Sequence, residues 1–165
     1  MDRIDSAYRG EQIPEDTGMF MPEPHYPEGS EKFFGDMLSS SDLTFLPSDG
    51  ERTGEYVRED LILSRPASDI PDGYTYSTVV SSAIAYALSK FAGVDHGTIL
   101  FVDSGREDAA AGDSVGLYMR MLPVSIPNVP DSREYIKNAR ELMFTAMSYG
   151  RYPFRLLAKR YGVGS

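Results

Sequence analysis

An uninterrupted run of β-favouring residues at 98–102, Thr-Ile-Leu-Phe-Val, constrains the fold of this 165-residue chain most strongly. A strand with one wet face alternates apolar and polar residues, whereas a run without alternation is typical of a strand buried on both faces. We therefore expect residues 98–102 to form a central strand of a sheet.

The segment before this strand has the spacing of a helix. Its apolar residues recur every three or four positions, Thr75 or Ser77 can cap its start, and Gly93 follows its end. Alanines along the segment would let the helix approach a sheet closely. The apolar positions are Val80, Ala83, Ile84, Ala87, Leu88 and Phe91.

Two further strands are predicted. Residues 56–64 end in three aliphatic side chains and are bounded by Gly54 and Pro66, which favours a strand. Residues 122–126 predict another, in which Pro123 lacks a ladder donor and therefore indicates a strand start or a sheet edge.

Two helices close the chain. Asp131 and Glu134 form a capping-box-like start for a helix that ends at Gly150, and Pro153 suits the first turn of a last helix that ends by Gly162. One face of the first of these helices is apolar, with Ile136, Ala139, Leu142, Met143, Ala146 and Met147.

The order of these elements predicts the fold class. Strand, helix, strand, strand, helix and helix in succession indicate an α/β two-layer sandwich, with a mixed sheet and helices on one face. We assign this lobe to residues 51–165. Residues 1–50 hold five prolines and a net charge of -8, and they predict an acidic, proline-rich connector with a short helix near 30–38. A solvated acidic leader without a special role is the alternative for this connector.

Composition excludes several classes of function. The chain has no cysteine and only two histidines. We therefore expect no disulfide, no metal centre and no directly bound cofactor. Its net charge of -9 disfavours a nucleic-acid partner. No stretch approaches a membrane span or a signal peptide, so we expect a cytoplasmic protein.

Three motifs give the lobe a resemblance to a known family. They are Asp103-Ser-Gly-Arg106, the run Val115-Gly-Leu-Tyr-Met-Arg-Met-Leu-Pro123, and Arg151-Tyr-Pro-Phe-Arg155. In order and spacing they resemble the second half of a condensation domain of nonribosomal peptide synthetases, within the chloramphenicol-acetyltransferase-like superfamily. Residues 5–11 resemble the opening of that family's connector. The resemblance implies half of a two-lobe fold.

The family's catalytic motif is absent from this sequence. The resemblance places the chemistry on a pattern His-His-x-x-x-Asp-Gly, whereas His25 and His96 are far apart here. The resemblance therefore implies no catalytic residue in this chain and no activity for it alone. In an intact enzyme it implies amide formation between an acyl or peptidyl donor and an aminoacyl acceptor, both carried on phosphopantetheine arms.

The resemblance also identifies candidate residues for a substrate channel or a lobe interface. Ser104 and Arg106 belong to the family's Ser-Gly-Arg, whose arginine can pair with the aspartate of the histidine motif. Tyr118 lies in the second motif, and Arg120 stands where the family has Asn, which indicates altered specificity or lost activity. Without the resemblance, Arg106 is a solvated side chain or one paired with Glu107 or neighbouring Asp108, and the second motif is core packing.

The third motif and the bases around it have separate interpretations. Tyr152, Pro153 and Phe154 are interpreted as architecture, a helix start pinned by aromatic contacts. Residues 131–165 hold seven bases against three acids, which favours docking of acidic acyl or peptidyl carrier proteins or, alternatively, a solvated helix surface. The candidates for carrier docking are Arg133, Lys137, Arg140, Arg155 and Lys159.

Three functional hypotheses follow from the sequence. The first is the carboxy-terminal lobe of a condensation domain, which requires an amino-terminal lobe as its partner. The second is a non-catalytic module that binds carriers, and the third is an acyltransferase in which Ser104 pairs with His96 or His25. A lobe without its partner would expose an apolar surface, which a self-dimer or the folded-back connector would cover.

Overall fold

A computed structural model describes residues 6–11, 26–39, 58, 60, 70, 72–106 and 117–163. The predicted strand at 56–64 therefore lies outside the described residues, apart from positions 58 and 60. Six helices and strands have both of their bounds within these ranges. They are α1 (Ser30–Ser39), α2 (Tyr76–Ala92), β1 (His96–Asp103), β2 (Arg120–Pro127), α3 (Ser132–Ser148) and α4 (Phe154–Tyr161).

Local sequence signals define the ends of the helices. Thr75 caps α2 by accepting a hydrogen bond from the backbone N–H of Thr78 at 3.1 Å. Asp131 caps α3 in the same way, with Oδ1 accepting from the N–H of Glu134 at 2.8 Å. Gly93 ends α2 in the left-handed region at a φ of 69°, where a side chain would be strained. The predicted helix boundaries are confirmed to within one or two residues.

The two strands pair antiparallel. His96 lies opposite Pro127 and Asp103 opposite Arg120. Cross-strand partners project to the same face of a sheet, so the register assigns Gly97, Ile99 and Asp103 to one face. Helices cover the strands, and the predicted α/β class is confirmed.

The burial of the two strands is the reverse of the prediction. Residues 122–126 of β2 are buried without a break, so both faces of β2 are covered although it contains Pro123. By contrast, most of β1 is half-buried and Val102 is exposed. The reason is the position of the helices: all four contact β2, whereas β1 is contacted chiefly by α2.

Helix α2 is turned opposite to its hydrophobic pattern. The residues buried against the sheet are Ser82, Ala85 and Ser89. Ile84 and Phe91, which the periodicity favours as inward residues, are 51% and 71% exposed. A Cβ at Gly97 of β1 would lie 2.1 Å from the carbonyl oxygen of Ala85, so only small residues fit between this helix and strand.

Helix α3 has the orientation that its pattern predicts. It buries Tyr135, Ala139, Met143 and Ala146 and packs on β2. The core formed there continues into Leu122, Val124 and Ile126 of the strand.

The remaining helices complete this core. Helix α1 lies in the segment predicted as a connector, yet its Phe34 and Leu38 are buried in the core. It packs on α4, where Leu157 is buried. Tyr152 stacks at 6.0 Å from Phe34, centroid to centroid, in the aromatic packing that the third motif predicts.

Candidate functional site

The predicted channel residues converge at one end of the sheet. Strand β1 ends at Asp103 and β2 begins at Arg120, opposite each other in the register. The loop that leaves β1 carries Ser104 and Arg106, and the segment that enters β2 carries Tyr118. All four candidates therefore lie at the same end of the sheet, although Arg106 and Arg120 are 14 positions apart in the sequence.

An ion pair holds the base of this site. Arg120 Nη1 lies 3.9 Å from Asp103 Oδ2, and the two side chains are only 17% and 7% exposed. Burial at this depth excludes most of the water that weakens surface pairs. The same guanidinium donates from Nη2 to the carbonyl oxygen of Gly105 at 3.2 Å.

Two glycines make room for this arginine. Gly105 adopts a φ of 64°, and its N–H donates to Asp103 Oδ2 at 3.2 Å. A Cβ there would lie 2.1 Å from the carbonyl oxygen of Tyr118. A Cβ at Gly150, just after α3, would lie 2.8 Å from Arg120 Nη1. Arg120 is therefore enclosed between the loop and the end of α3.

An aromatic ring contacts the guanidinium of Arg106. Its guanidinium carbon lies 4.6 Å from the ring centroid of Tyr118, within the range of a cation–π contact. The side chain of Arg106 is exposed while Tyr118 is half-buried. The ring of Tyr118 thus supports the guanidinium of Arg106 at the surface.

Ser104 lies far from the described histidine. Ser104 is exposed just after β1, whereas His96 begins that strand. A strand rises about 3.3 Å per residue, so His96 and Asp103 are separated by about 23 Å. His96 therefore cannot pair with Ser104 in this structure, and His25 lies outside the described residues.

An apolar surface adjoins the site. Val102 and Met121 are cross-strand partners, and strand alternation places them on the face opposite Asp103 and Arg120. Both are exposed. Leu117 and Met119, which lead into β2, are exposed as well, Leu117 at 87%. Exposed apolar side chains grouped at one end of a sheet are typical of a contact with a ligand or another chain segment.

The five predicted docking bases lie on two separate helices. Arg133, Lys137 and Arg140 have four- and three-residue spacing on α3 and so share one side of that helix. Arg155 and Lys159 are exposed on α4, which packs with α1 rather than with α3.

Neighbouring side chains contact two of these five bases. Lys137 Nζ lies 3.9 Å from Glu141 Oε1, and Arg140 lies 5.4 Å from the ring centroid of Tyr74. Both contacts are local to α3 and its surroundings. They leave the positive side of α3 in contact with solvent.

The sequence analysis missed two members of the site. In the sequence, Asp103 is only the first residue of the motif Asp-Ser-Gly-Arg, and Gly150 is only the end of a helix. The signal that could have identified Asp103 is its charge directly after a β-favouring run. A second charge, that of Arg120, stands where the sequence departs from the family pattern. Gly150 has no such signal, because its role depends on where α3 ends in space.

The described residues contain neither a cluster of metal-ligating side chains nor a membrane-spanning helix. No group of three histidine, cysteine, aspartate or glutamate side chains within these ranges could hold a metal ion. Over the same part of the chain, no helix combines the length and apolar character needed to cross a membrane.

Comparisons with known proteins bear on the fold. No protein-family model and no curated protein matches the sequence. Among solved structures, the first condensation domain of the CDA synthetase matches 99% of this chain with a TM-score of 0.61 at 15% identity, and this chain covers 41% of it. The first condensation domain of the calcium-dependent antibiotic synthetase in complex with substrate analogue 2a matches 97% at 15% identity, with a TM-score of 0.61 and 42% of that chain covered.

These matches show a shared fold. The chain has the fold of nonribosomal peptide synthetase condensation domains, and it spans about two-fifths of the length of the two it matches over nearly its whole extent. The structure called holo T3CT matches a smaller part, 56% of this chain and 23% of that one, at 19% identity and a TM-score of 0.50.

Proposed function

We propose that this chain is the carboxy-terminal lobe of a condensation domain of a nonribosomal peptide synthetase. It would form one wall of the cleft in which a carrier-bound acyl or peptidyl donor meets an aminoacyl acceptor. The observation that carries this proposal is the convergence of Ser104, Arg106, Tyr118 and Arg120 at one edge of a sheet with the condensation-domain fold. The lobe would require an amino-terminal lobe with the histidine motif.

The geometry supports a role in positioning rather than in proton transfer. Arg106 presents a rigid guanidinium fork on the Tyr118 ring, and such a fork binds a carboxylate through two hydrogen bonds. We propose that its partner is the aspartate of the missing motif. Holding the lobes together in this way would orient the reactants, which is a large part of what an enzyme of this kind contributes.

Arg120 has a supporting role in this proposal. Family members resembling this chain have an uncharged amide side chain at its position, whereas here the guanidinium pairs with Asp103 and binds the carbonyl of Gly105. Arg120 thereby fixes the loop from which Arg106 projects. The exposed apolar surface around Val102 and Met121 would face the other lobe or the acyl chain.

The first test is the reading frame that encodes the chain. A His-His-x-x-x-Asp-Gly segment encoded a short distance upstream of Met1 is the expected result. Absence of any such lobe would overturn the proposed catalytic role. The joined polypeptide is then assayed for amide formation from carrier-loaded donor and acceptor by mass spectrometry of the intact carriers.

Substitution of Arg106 tests its role in that assay. Arg106→Ala is expected to lower the rate at least about tenfold, and Arg106→Lys to restore part of it, since an ammonium keeps the charge but not the fork. The control is Arg160→Ala, because Arg160 also lies over a tyrosine ring, that of Tyr161 at 5.5 Å, but on α4, where it donates to Glu31 Oε1 at 2.7 Å. Equal losses from Arg106→Ala and Arg160→Ala would contradict the assignment.

A second function is favoured by the bases on α3. We infer that a module binding acidic carrier proteins without catalysis would use Arg133, Lys137 and Arg140, which share one helix side. In titrations of the labelled chain with a phosphopantetheine-bearing acyl carrier protein, NMR shifts should map to α3. They should vanish in Arg133→Glu/Lys137→Glu and weaken with salt. Binding that persists in this double variant would exclude α3 as the docking surface.

A further inference from the structure

A groove of about 520 Å³ lies beside α4. Helix α4 supplies most of its lining, and Leu156 is 43% exposed there. Two tyrosine rings beside this leucine make the lining partly apolar, while two bases make it positively charged. The side chains concerned are Tyr152, Leu156, Lys159, Arg160 and Tyr161. The groove therefore suits an occupant with both apolar and acidic side chains.

The connector already contacts the lining of this groove at two points. The ring of Tyr26 lies edge-on to that of Tyr152, with 5.8 Å between the centroids. Farther along the connector, Glu31 Oε1 accepts a hydrogen bond from Arg160 Nη1 at 2.7 Å. The segment that directly precedes Tyr26 therefore joins the described structure at the groove.

That segment, residues 12–25, lies outside the described residues, and its sequence is complementary to α4. It holds three acids and neither lysine nor arginine, whereas α4 holds three bases and no acid. Between its acids stands one continuous apolar run, Met19-Phe20-Met21. Methionine side chains are flexible and adapt to irregular apolar surfaces. The segment thus combines the two kinds of side chain that the groove suits.

The length of the segment allows this contact. Phe20 is six residues before Tyr26, and six residues span at most about 21 Å. Helix α4 has eight residues and is about 12 Å long. Starting from the Tyr152 ring, the apolar run can therefore reach the full length of α4. Because a short tether gives an effective concentration in the millimolar range, even a weak contact would be populated.

We propose that residues 12–25 dock in the groove beside α4. The run Met19-Phe20-Met21 packs against Leu156, and the acids of the segment lie near Arg155 and Lys159. The bases of α4 are then engaged within the chain itself. In the carrier-binding function proposed above, the bases of α3 are the ones left for an acidic carrier, although the docking of the segment does not depend on that function.

Disulfide formation tests the contact in the full chain, which has no cysteine of its own. Met21→Cys/Leu156→Cys keeps Phe20 in place and should form an intramolecular disulfide on mild oxidation. The matched control is Met21→Cys/Phe144→Cys, because Phe144 is 52% exposed on α3, outside the groove. Docking should make the first disulfide form at least about fivefold faster than the second, since it raises the local concentration of one thiol near the other.

Reversal of charge tests which helix attracts the segment. In the Met21→Cys/Leu156→Cys chain, Arg155→Glu/Lys159→Glu should slow disulfide formation to the rate of the Phe144 control, because it replaces attraction by repulsion. Arg133→Glu/Lys137→Glu on α3 makes the same change in net charge and should leave the rate unaltered. Added salt should slow the reaction only where the bases of α4 are intact.

A measurement without cysteines serves where a cysteine variant fails to fold, as judged by circular dichroism. Phe20→Ser should shift the backbone amide NMR signals of Leu156 and Lys159, whereas Tyr8→Ser, at a position that is 92% exposed in the connector, should not. Unchanged α4 signals in Phe20→Ser would overturn the proposal. So would equal rates for the two cysteine pairs, or equal slowing by the two charge reversals. All these measurements use the chain without a carrier, so their failure would not bear on the proposed condensation function.

Discussion

Helices α2 and α3 have the same length and pack side by side on the same sheet, yet they turn opposite kinds of residue toward it. Helix α3 buries Tyr135, Ala139, Met143 and Ala146. Helix α2 buries two serines and one alanine and leaves Ile84 and Phe91 exposed. Hydrophobic periodicity therefore identifies both helices but assigns the inward face of only one.

The difference lies in the strand beneath each helix. Helix α3 packs on β2, whose apolar side chains extend between the two backbones. Helix α2 packs on β1 at Gly97, where the backbones approach so closely that small residues must intervene. The buried hydroxyl of Ser89 is satisfied there, donating to the carbonyl oxygen of Tyr86 at 2.7 Å and lying 3.0 Å from Asn128 Oδ1. Burial of a polar residue is thus compatible with a close helix contact.

The largest effect should come from adding a side chain where α2 approaches β1. Gly97→Ala is expected to lower the free energy of unfolding by about 3 kcal/mol or more, since its Cβ would overlap the carbonyl of Ala85. The measurement is urea unfolding followed by circular dichroism. Gly73→Ala is the control: it meets no atom within 4 Å but has a φ of 83°, and should cost about 1 to 2 kcal/mol. Equal costs would mean that α2 does not approach β1 closely.

Truncation of one residue on each helix tests the opposite orientations. Met143→Ala should lower the free energy of unfolding by about 2 to 3 kcal/mol, because Met143 is buried in the core. Ile84→Ala should change it by about 0.5 kcal/mol or less, because its side chain is half exposed. Unfolding is measured at low protein concentration. A large loss from Ile84→Ala would show that Ile84 faces inward.

The caps should show no difference between the two helices. Thr75→Ala and Asp131→Ala each remove a side-chain acceptor from an equivalent backbone N–H, and each should cost about 1 kcal/mol. Thermal unfolding of the two variants provides the measurement. A loss at one cap only would mean that the other helix is held by its packing alone.

An effect about as small as that of the caps concerns a buried hydroxyl on α3. Tyr135 is buried, and its hydroxyl has no hydrogen-bond partner among the residues that the structure describes. Tyr135→Phe should therefore raise the free energy of unfolding by about 1 kcal/mol at neutral pH, since it removes an unsatisfied polar atom. Destabilisation by this substitution would indicate that the hydroxyl is bonded after all.

The same tyrosine should make stability sensitive to alkaline pH. Burial raises the pKa of Tyr135 to about 12, whereas an unfolded tyrosine ionises near pH 10. Unfolding therefore releases a proton above about pH 10, and stability falls as pH rises from there toward 12. Urea unfolding from pH 9 to 11.5 should show a steeper decline for wild type than for Tyr135→Phe. Parallel curves would contradict this assignment.

The candidate site was predicted from the sequence only in part. Ser104, Arg106, Tyr118 and Arg120 were selected through motifs, and their convergence at one sheet edge follows from the antiparallel register. Their contacts did not follow: Arg106 lies on Tyr118, and Arg120 pairs with Asp103. Those contacts depend on backbone approaches at two glycines, which no spacing along the chain encodes. The carrier-docking bases stay a prediction.

The sequence by itself determined the described helices, their caps and their order along the chain, because periodicity and capping act over a few residues. Thr75 and Asp131 begin their helices and Gly93 ends one, through bonds or backbone angles that a short peptide already contains. The tertiary structure alone decided that β2 is the buried strand and that α2 turns its apolar face outward. Those choices depend on how closely segments distant in sequence approach one another, as Ala85 and Gly97 do.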